Sequence, residues 1–146
     1  MNDLKNLYQE VILDHSKHPR HFHALDPCDH SATGYNPLCG DNLKIFVRMD
    51  GDTIADISFV GDGCAISKAS ASLMTDLARG KTLAEFAHLY HDFHHIATTQ
   101  DPIPDSVGKL KVLAGVREYP SRVKCATLAW HTLDAALHGK NEAKTE

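Results

Sequence analysis

Three cysteines stand in turn-rich junctions far apart along this chain, and the fold has to decide whether they meet. Cys39 lies in Asn36-Pro37-Leu38-Cys39-Gly40-Asp41, Cys64 in Gly61-Asp62-Gly63-Cys64, and Cys125 in Arg122-Val123-Lys124-Cys125. Asp41 adds a carboxylate beside the first thiol. Three sulfur donors and one oxygen donor make a four-coordinate set. That set suits zinc or an iron–sulfur cluster, because thiolate is the soft ligand both prefer.

Disulfides are the competing use of cysteine. The chain has 146 residues, of which 42% are hydrophobic and 23% charged, so it is expected to form one domain (1–146) with a core that needs no covalent staples. The Cys are also unevenly spaced, at 28, 39, 64 and 125, and Cys28 lacks the junction setting of the other three. The net charge of −4 argues against nucleic acid as a partner. No apolar run approaches the ~20 residues that span a bilayer. The start, Met1-Asn2-Asp3-Leu4, lacks the basic and apolar regions of a signal peptide, so a cytoplasmic location is expected. The His-rich stretch with His88, His91, His94 and His95 reads as a solvated helical face rather than a metal site.

Apolar spacing predicts a helix over 3–16, with Leu4, Leu7, Tyr8, Val11 and Ile12 on one face and Asp3 as its cap. Residues 21–37 read as an extended connection with one edge strand. Leu43, Ile45, Val47 and Met49 alternate with polar or outward positions. Asp50-Gly51 marks a hairpin turn, and 54–60 returns as its partner strand until Gly61-Asp62-Gly63 breaks it. A helix crowded with Ala and Ser is expected over 65–79, closed by Gly80. Thr82 and Glu85 form a capping box for another helix. Residues 98–104 read as a loop, followed by a short helix with Val107, Leu110 and Leu113. Val123, Ala126, Trp130, Leu133 and Leu137 define the last helix, which Gly139 ends, and 140–146 are expected to fray. Early strands and late helices point to an α+β fold. Its antiparallel sheet is small, about three strands, with helices packed on one side.

Each candidate donor has a physical reason to act. Cys64 falls at a helix start, where free N–H groups and the helix dipole favour a thiolate. Cys125 sits in the first turn of the last helix, off its main apolar stripe. Arg122 and Lys124 flank Cys125 and are expected to lower its pKa. Cations are disfavoured at a helix N-terminus, so a nearby anionic centre accounts for them better. Asp41 is a hard ligand among soft ones, which makes the set exchangeable. A zinc hydrolase or deaminase would need a Glu near a ligand, and none of the three Cys motifs has one.

Together these motifs resemble the IscU/SufU (NifU-like) iron–sulfur cluster assembly proteins. The likeness rests on 36–41, on Gly-Asp-Gly-Cys-Ala-Ile-Ser at 61–67, on Ala69-Ser70-Ala71-Ser72, and on Arg-Val-Lys-Cys-Ala-Thr-Leu-Ala-Trp at 122–130. It extends over 4–137, including Leu7-Tyr8, Asp14-His15 and Pro19-Arg20. Lys124 stands where the IscU type carries His. The long gap between Cys64 and Cys125 fits an extra segment within 81–105. Both features resemble the SufU branch. The resemblance implies an IscU/SufE-like fold, and Cys39, Asp41, Cys64 and Cys125 as ligands of zinc or of a transient iron–sulfur cluster of the 2Fe–2S type. It also implies a pyridoxal-phosphate cysteine desulfurase as partner, with downstream acceptor or scaffold proteins. Cys39 is then the implied sulfur acceptor, with Arg122 and Lys124 as electrostatic support. A scaffold role, on which a cluster is built and passed on, is the alternative.

Overall fold

The computed structural model describes residues 3–37, 39–103 and 105–144, without the side chains of residues 3–5, 7, 105–107 and 109. The chain runs α1 (Asp3–Lys17), β1 (His30–Asn36), β2 (Asp41–Asp50), β3 (Thr53–Asp62), α2 (Ala65–Ala78) and α3 (Leu83–Thr98). Two 3₁₀ segments, Asp105–Glu118 and Pro120–Arg122, lead into α4 (Val123–Leu137) and β4 (Glu142–Lys144). The expected Asp3 cap and the side chains of Leu4, Leu7 and Val107 lie outside the described residues, as do Leu38 of the Cys39 motif, Pro104 of the 98–104 loop and residues 145–146 of the end expected to fray.

The architecture is the expected α+β one, with one addition. The four strands lie in the order β3-β2-β1-β4. β1, β2 and β3 are antiparallel neighbours, whereas β4 pairs parallel to β1, matching Thr33 with Glu142 and Tyr35 with Lys144. So the sheet is mixed, and 142–144 are ordered rather than frayed. Gly139, at φ +76°, ends α4 and turns the chain back. The returning backbone covers the edge of β1, which therefore lies inside the sheet. An open strand edge is a row of unpaired donors and acceptors, and pairing satisfies it whatever the side chains.

Alternation on β2 and β3 creates the apolar face. Leu43, Ile45, Val47, Ile57 and Phe59 are fully buried, while Asn42 and Lys44 are exposed. β3 does not stop at Val60 but continues through Asp62. Gly61 permits this: at φ +136° a Cβ would lie 2.2 Å from the Asn42 carbonyl oxygen.

α4 packs against β1 and β2 and against α2 and α3. Enclosed on so many sides, it buries nearly all of residues 125–133, far more than the one stripe read from the sequence. The small residues of α2 allow close approach. Ser70 Oγ donates to the Ala126 carbonyl at 2.6 Å, and Trp130 Nε1 donates to Ser70 Oγ at 3.0 Å. This bond pair fixes α2 beside α4, so the first turns that carry Cys64 and Cys125 lie side by side. The Thr82–Glu85 capping box of α3 is complete in both directions. The segment after α3 is of the 3₁₀ type and kinks at Gly108, whose φ is +58°.

Gly34 on β1 is where α4 comes closest to the sheet. A Cβ there would meet Thr132 Oγ1 at 1.9 Å. Gly34→Ala is expected to destabilise the protein by about 1–3 kcal/mol through overpacking. Thr132→Ala in the same chain should restore part of the loss, as read by urea unfolding.

Candidate metal centre

Three chain segments build the centre. The first is the turn between β1 and β2. Cys39 N–H and Gly40 N–H both donate to the Asn36 carbonyl, at 3.2 and 2.8 Å. Gly40 takes φ +73°, and Asp41 follows as the first residue of β2, paired with Asn36. Cys39 is thus left exposed at the tip, and Asp41 is carried inward to 2% exposure.

The second segment is the junction between β3 and α2. Cys64 caps α2, its sulfur accepting from Ser67 N–H at 3.4 Å. Its own N–H donates to Asp41 Oδ1 at 2.9 Å. Gly63 makes room for this contact, since a Cβ there would stand 2.9 Å from the same oxygen. The third segment is the start of α4, which places Cys125 at the centre of the site with no exposed surface.

The donor atoms of Cys39, Asp41 and Cys125 lie within 4.8 Å of one another. Cys125 Sγ is 3.3 Å from Cys39 Sγ and accepts from Asn36 Nδ2 at 3.6 Å. Cys64 stands outside that tight trio. It joins through its N–H on Asp41, and Cys125 is the neighbour that most alters its acidity. Arg122 approaches from the rim, with Nη1 3.9 Å from Cys39 Sγ.

Acidity is divided unequally among the thiols. The hydrogen bond from Cys125, aided by the N–H groups of Ser67 and Ile66, lowers the Cys64 pKa to about 6. Cys125 moves the opposite way. Its hydrogen bond with Cys64, its burial, and its neighbours Cys39 and Asp41 push it far above the usual thiol range. The lowering expected from Arg122 and Lys124 is opposed here by the hydrogen bond with Cys64 and by burial, both of which raise Cys125. The same thiols raise the Arg122 pKa, with Cys125 as the largest cause.

Not every residue singled out from the sequence reaches the site in the same way. Lys124 lines a cavity of about 360 Å³ with His94, Thr98, Val123, Thr127, His131 and Lys144. His88, His91, His94 and His95 are exposed on α3, with His95 2.9 Å from Asp101. Cys28 is half-buried and free. Two residues without a role in the sequence reading do border the centre. One is Asn36. The other is Ser67, whose hydroxyl oxygen is buried without a hydrogen-bond partner among the described residues. The Asn36-Pro37 turn was legible, but no spacing rule links Asn36 to a residue on α4.

A metal fits these residues. Asp41 Oδ2 is buried with no hydrogen-bond partner among the described residues. A buried carboxylate oxygen without a partner is costly, and a cation bound among the thiols would satisfy it. The residues that would hold the ion are Cys39, Asp41, Cys64 and Cys125, a thiolate-rich set suited to zinc or iron.

Residues 7–145 match the NifU-like N terminal domain family, and the chain belongs to that family. It is 41% identical over 138 residues to the iron–sulfur cluster assembly scaffold protein IscU of Streptococcus pyogenes serotype M1, covering 94% of this chain and 86% of that protein. It is 38% identical over 139 residues to the zinc-dependent sulfurtransferase SufU of Bacillus subtilis strain 168, covering 92% of each. A crystal structure of a candidate iron–sulfur cluster assembly scaffold for the SUF system, from Fervidobacterium islandicum AW-1, aligns with a TM-score of 0.82. That protein is 33% identical, and the alignment covers 90% of this chain and 97% of that one. Among the described residues, no helix is long and apolar enough to cross a membrane.

Gly63→Ala tests the geometry of the centre. The added methyl displaces the Asp41 carboxylate and should lower zinc affinity about 10–100-fold, as outer contacts of metal ligands do. Competition against a chromophoric chelator measures the loss, and an unchanged far-UV circular dichroism spectrum shows that the fold persists.

Proposed function

We propose that this protein accepts sulfur from a pyridoxal-phosphate cysteine desulfurase at Cys39 and passes it into iron–sulfur cluster assembly. One observation carries the reading. Of the three site thiols, Cys125 is buried, Cys64 is half-buried, and Cys39 alone is exposed. Cys39 is therefore the thiol most open to an incoming persulfide. The Cys39 thiolate attacks the outer sulfur of the desulfurase persulfide. A new sulfur–sulfur bond forms on Cys39, the old one breaks, and the desulfurase thiolate leaves. Arg122 lies beside Cys39 Sγ and supports the anion, and Lys124 adds positive charge at the start of α4. Zinc bound at Cys39, Asp41, Cys64 and Cys125 would supply deprotonated thiolates until one is needed. The B. subtilis relative, named a zinc-dependent sulfurtransferase, supports this version.

The scaffold version uses the same donors. The 3.3 Å approach of the Cys39 and Cys125 sulfurs and the nearby Asp41 form a nest of donors able to hold iron. Relatives named as scaffolds favour it, and downstream acceptor proteins would be its partners.

The deciding experiment starts with anaerobic purification and metal analysis, followed by addition of desulfurase, cysteine and ferrous iron. A persulfide mapped to Cys39 by mass spectrometry, with zinc retained and no chromophore, is the expected result for a transferase. A cluster spectrum that passes to an acceptor protein would assign the scaffold role instead. Cys39→Ser should reduce desulfurase-dependent sulfur uptake to background. Full activity in Cys39→Ser, Cys64→Ser and Cys125→Ser alike would refute the site.

Metal removal gives a second prediction. With free zinc near 100 times its Kd, binding to the folded state adds about 2.7 kcal/mol of stability. Chelation should therefore lower the urea midpoint, and zinc should restore it.

A further inference from the structure

We propose that Asn36 is the positioning residue of the centre, orienting the Cys125 sulfur toward a bound metal through its side-chain amide. The inference rests on reading Cys39, Asp41, Cys64 and Cys125 as a metal site. Asn36 ends β1 and is 1% exposed. Its backbone pairs with Asp41, and its carbonyl accepts both Cys39 N–H and Gly40 N–H. Its Nδ2 donates to Cys125 Sγ at 3.6 Å, across 89 residues of sequence. One residue thus contacts segments that carry three of the four donors.

Backbone and side chain have separable tasks here. Any residue at 36 offers the carbonyl that closes the Cys39 turn. Only an amide or similar donor reaches the Cys125 sulfur. Stability alone does not account for that amide, because Asn36 Oδ1 is buried with no hydrogen-bond partner among the described residues. An apolar side chain of similar size would leave no such oxygen unpaired. The remaining task for the amide is at the sulfur. An N–H···S bond fixes the direction of the thiolate lone pairs and draws density from them, so it sets how strongly Cys125 donates to a metal. Cys125 is the innermost thiol, so its orientation fixes the frame within which exposed Cys39 can exchange.

The full chain and its Asn36→Leu variant are loaded with cobalt(II) as a spectroscopic probe and separately titrated with zinc against a chromophoric chelator. In the variant the sulfur-to-cobalt charge-transfer band should move to lower energy, and the zinc Kd should rise about 10–100-fold. The metal-free variant should unfold at a urea concentration no lower than the parent. A purely structural role predicts the reverse: a lower midpoint with an unmoved band. An unmoved band and an unchanged Kd overturn the inference while leaving the metal site intact. If Asn36→Leu does not fold, Asn36→Ala decides by the same two readings. If the parent chain takes up neither ion, the metal reading falls and this inference falls with it.

Discussion

The Asp41 carboxylate is the point on which the centre depends. It is buried, it begins β2, and it pairs through its backbone with Asn36. One oxygen receives the Cys64 N–H, which ties the β1–β2 turn to the start of α2. The other has no hydrogen-bond partner among the described residues, and the carboxylate lies beside the Cys39 and Cys125 thiols, which are acceptors once ionised. Acceptors collected in a buried place repel one another unless positive charge joins them. The fold therefore builds a site whose natural complement is a cation. The half-satisfied carboxylate marks that need.

Helix packing turns this local need into a graded set of thiols. The bonds among Ser70, Ala126 and Trp130 lock α2 against α4 and place two helix starts next to each other. Cys125 falls where α4 is enclosed on all sides. Cys64 falls at a capping position open on one side, and Cys39 falls at a turn tip. The inner thiol is held by Asn36 and the outer one is available to a partner. In the proposed reading, a centre arranged this way would exchange its outer ligand while the inner donors keep its shape. Both proposed roles, sulfur acceptance and cluster assembly, need that division.

Several elements were legible because their signals are local. The alternation of Leu43, Ile45 and Val47, the Asp50-Gly51 turn, and the Thr82–Glu85 box depend on residues within one turn or one strand. β4 was not legible, since Glu142-Ala143-Lys144 carries no hydrophobic pattern and is ordered by backbone pairing with β1. The full burial of Cys125 was missed for a related reason. A one-stripe helix is the reading for a helix packed on one face, whereas α4 has neighbours on nearly every side. Gly61 read as a strand end because glycine usually punctuates. Here it lets β3 run on against Asn42.

The candidate donors, their junction settings and the family resemblance are legible in the chain alone, because thiols beside glycine turns and helix starts are chemical signals within a few residues. Folding established the rest. It set which thiol is exposed and placed Cys125 where burial raises its pKa. It brought Asn36 to a sulfur on α4 and separated the environments of Arg122 and Lys124. Those properties depend on burial and on contacts across strands and helices. Neighbours in the chain do not encode them, because the distances that matter are closed only when α2, α4 and the β1–β2 turn meet.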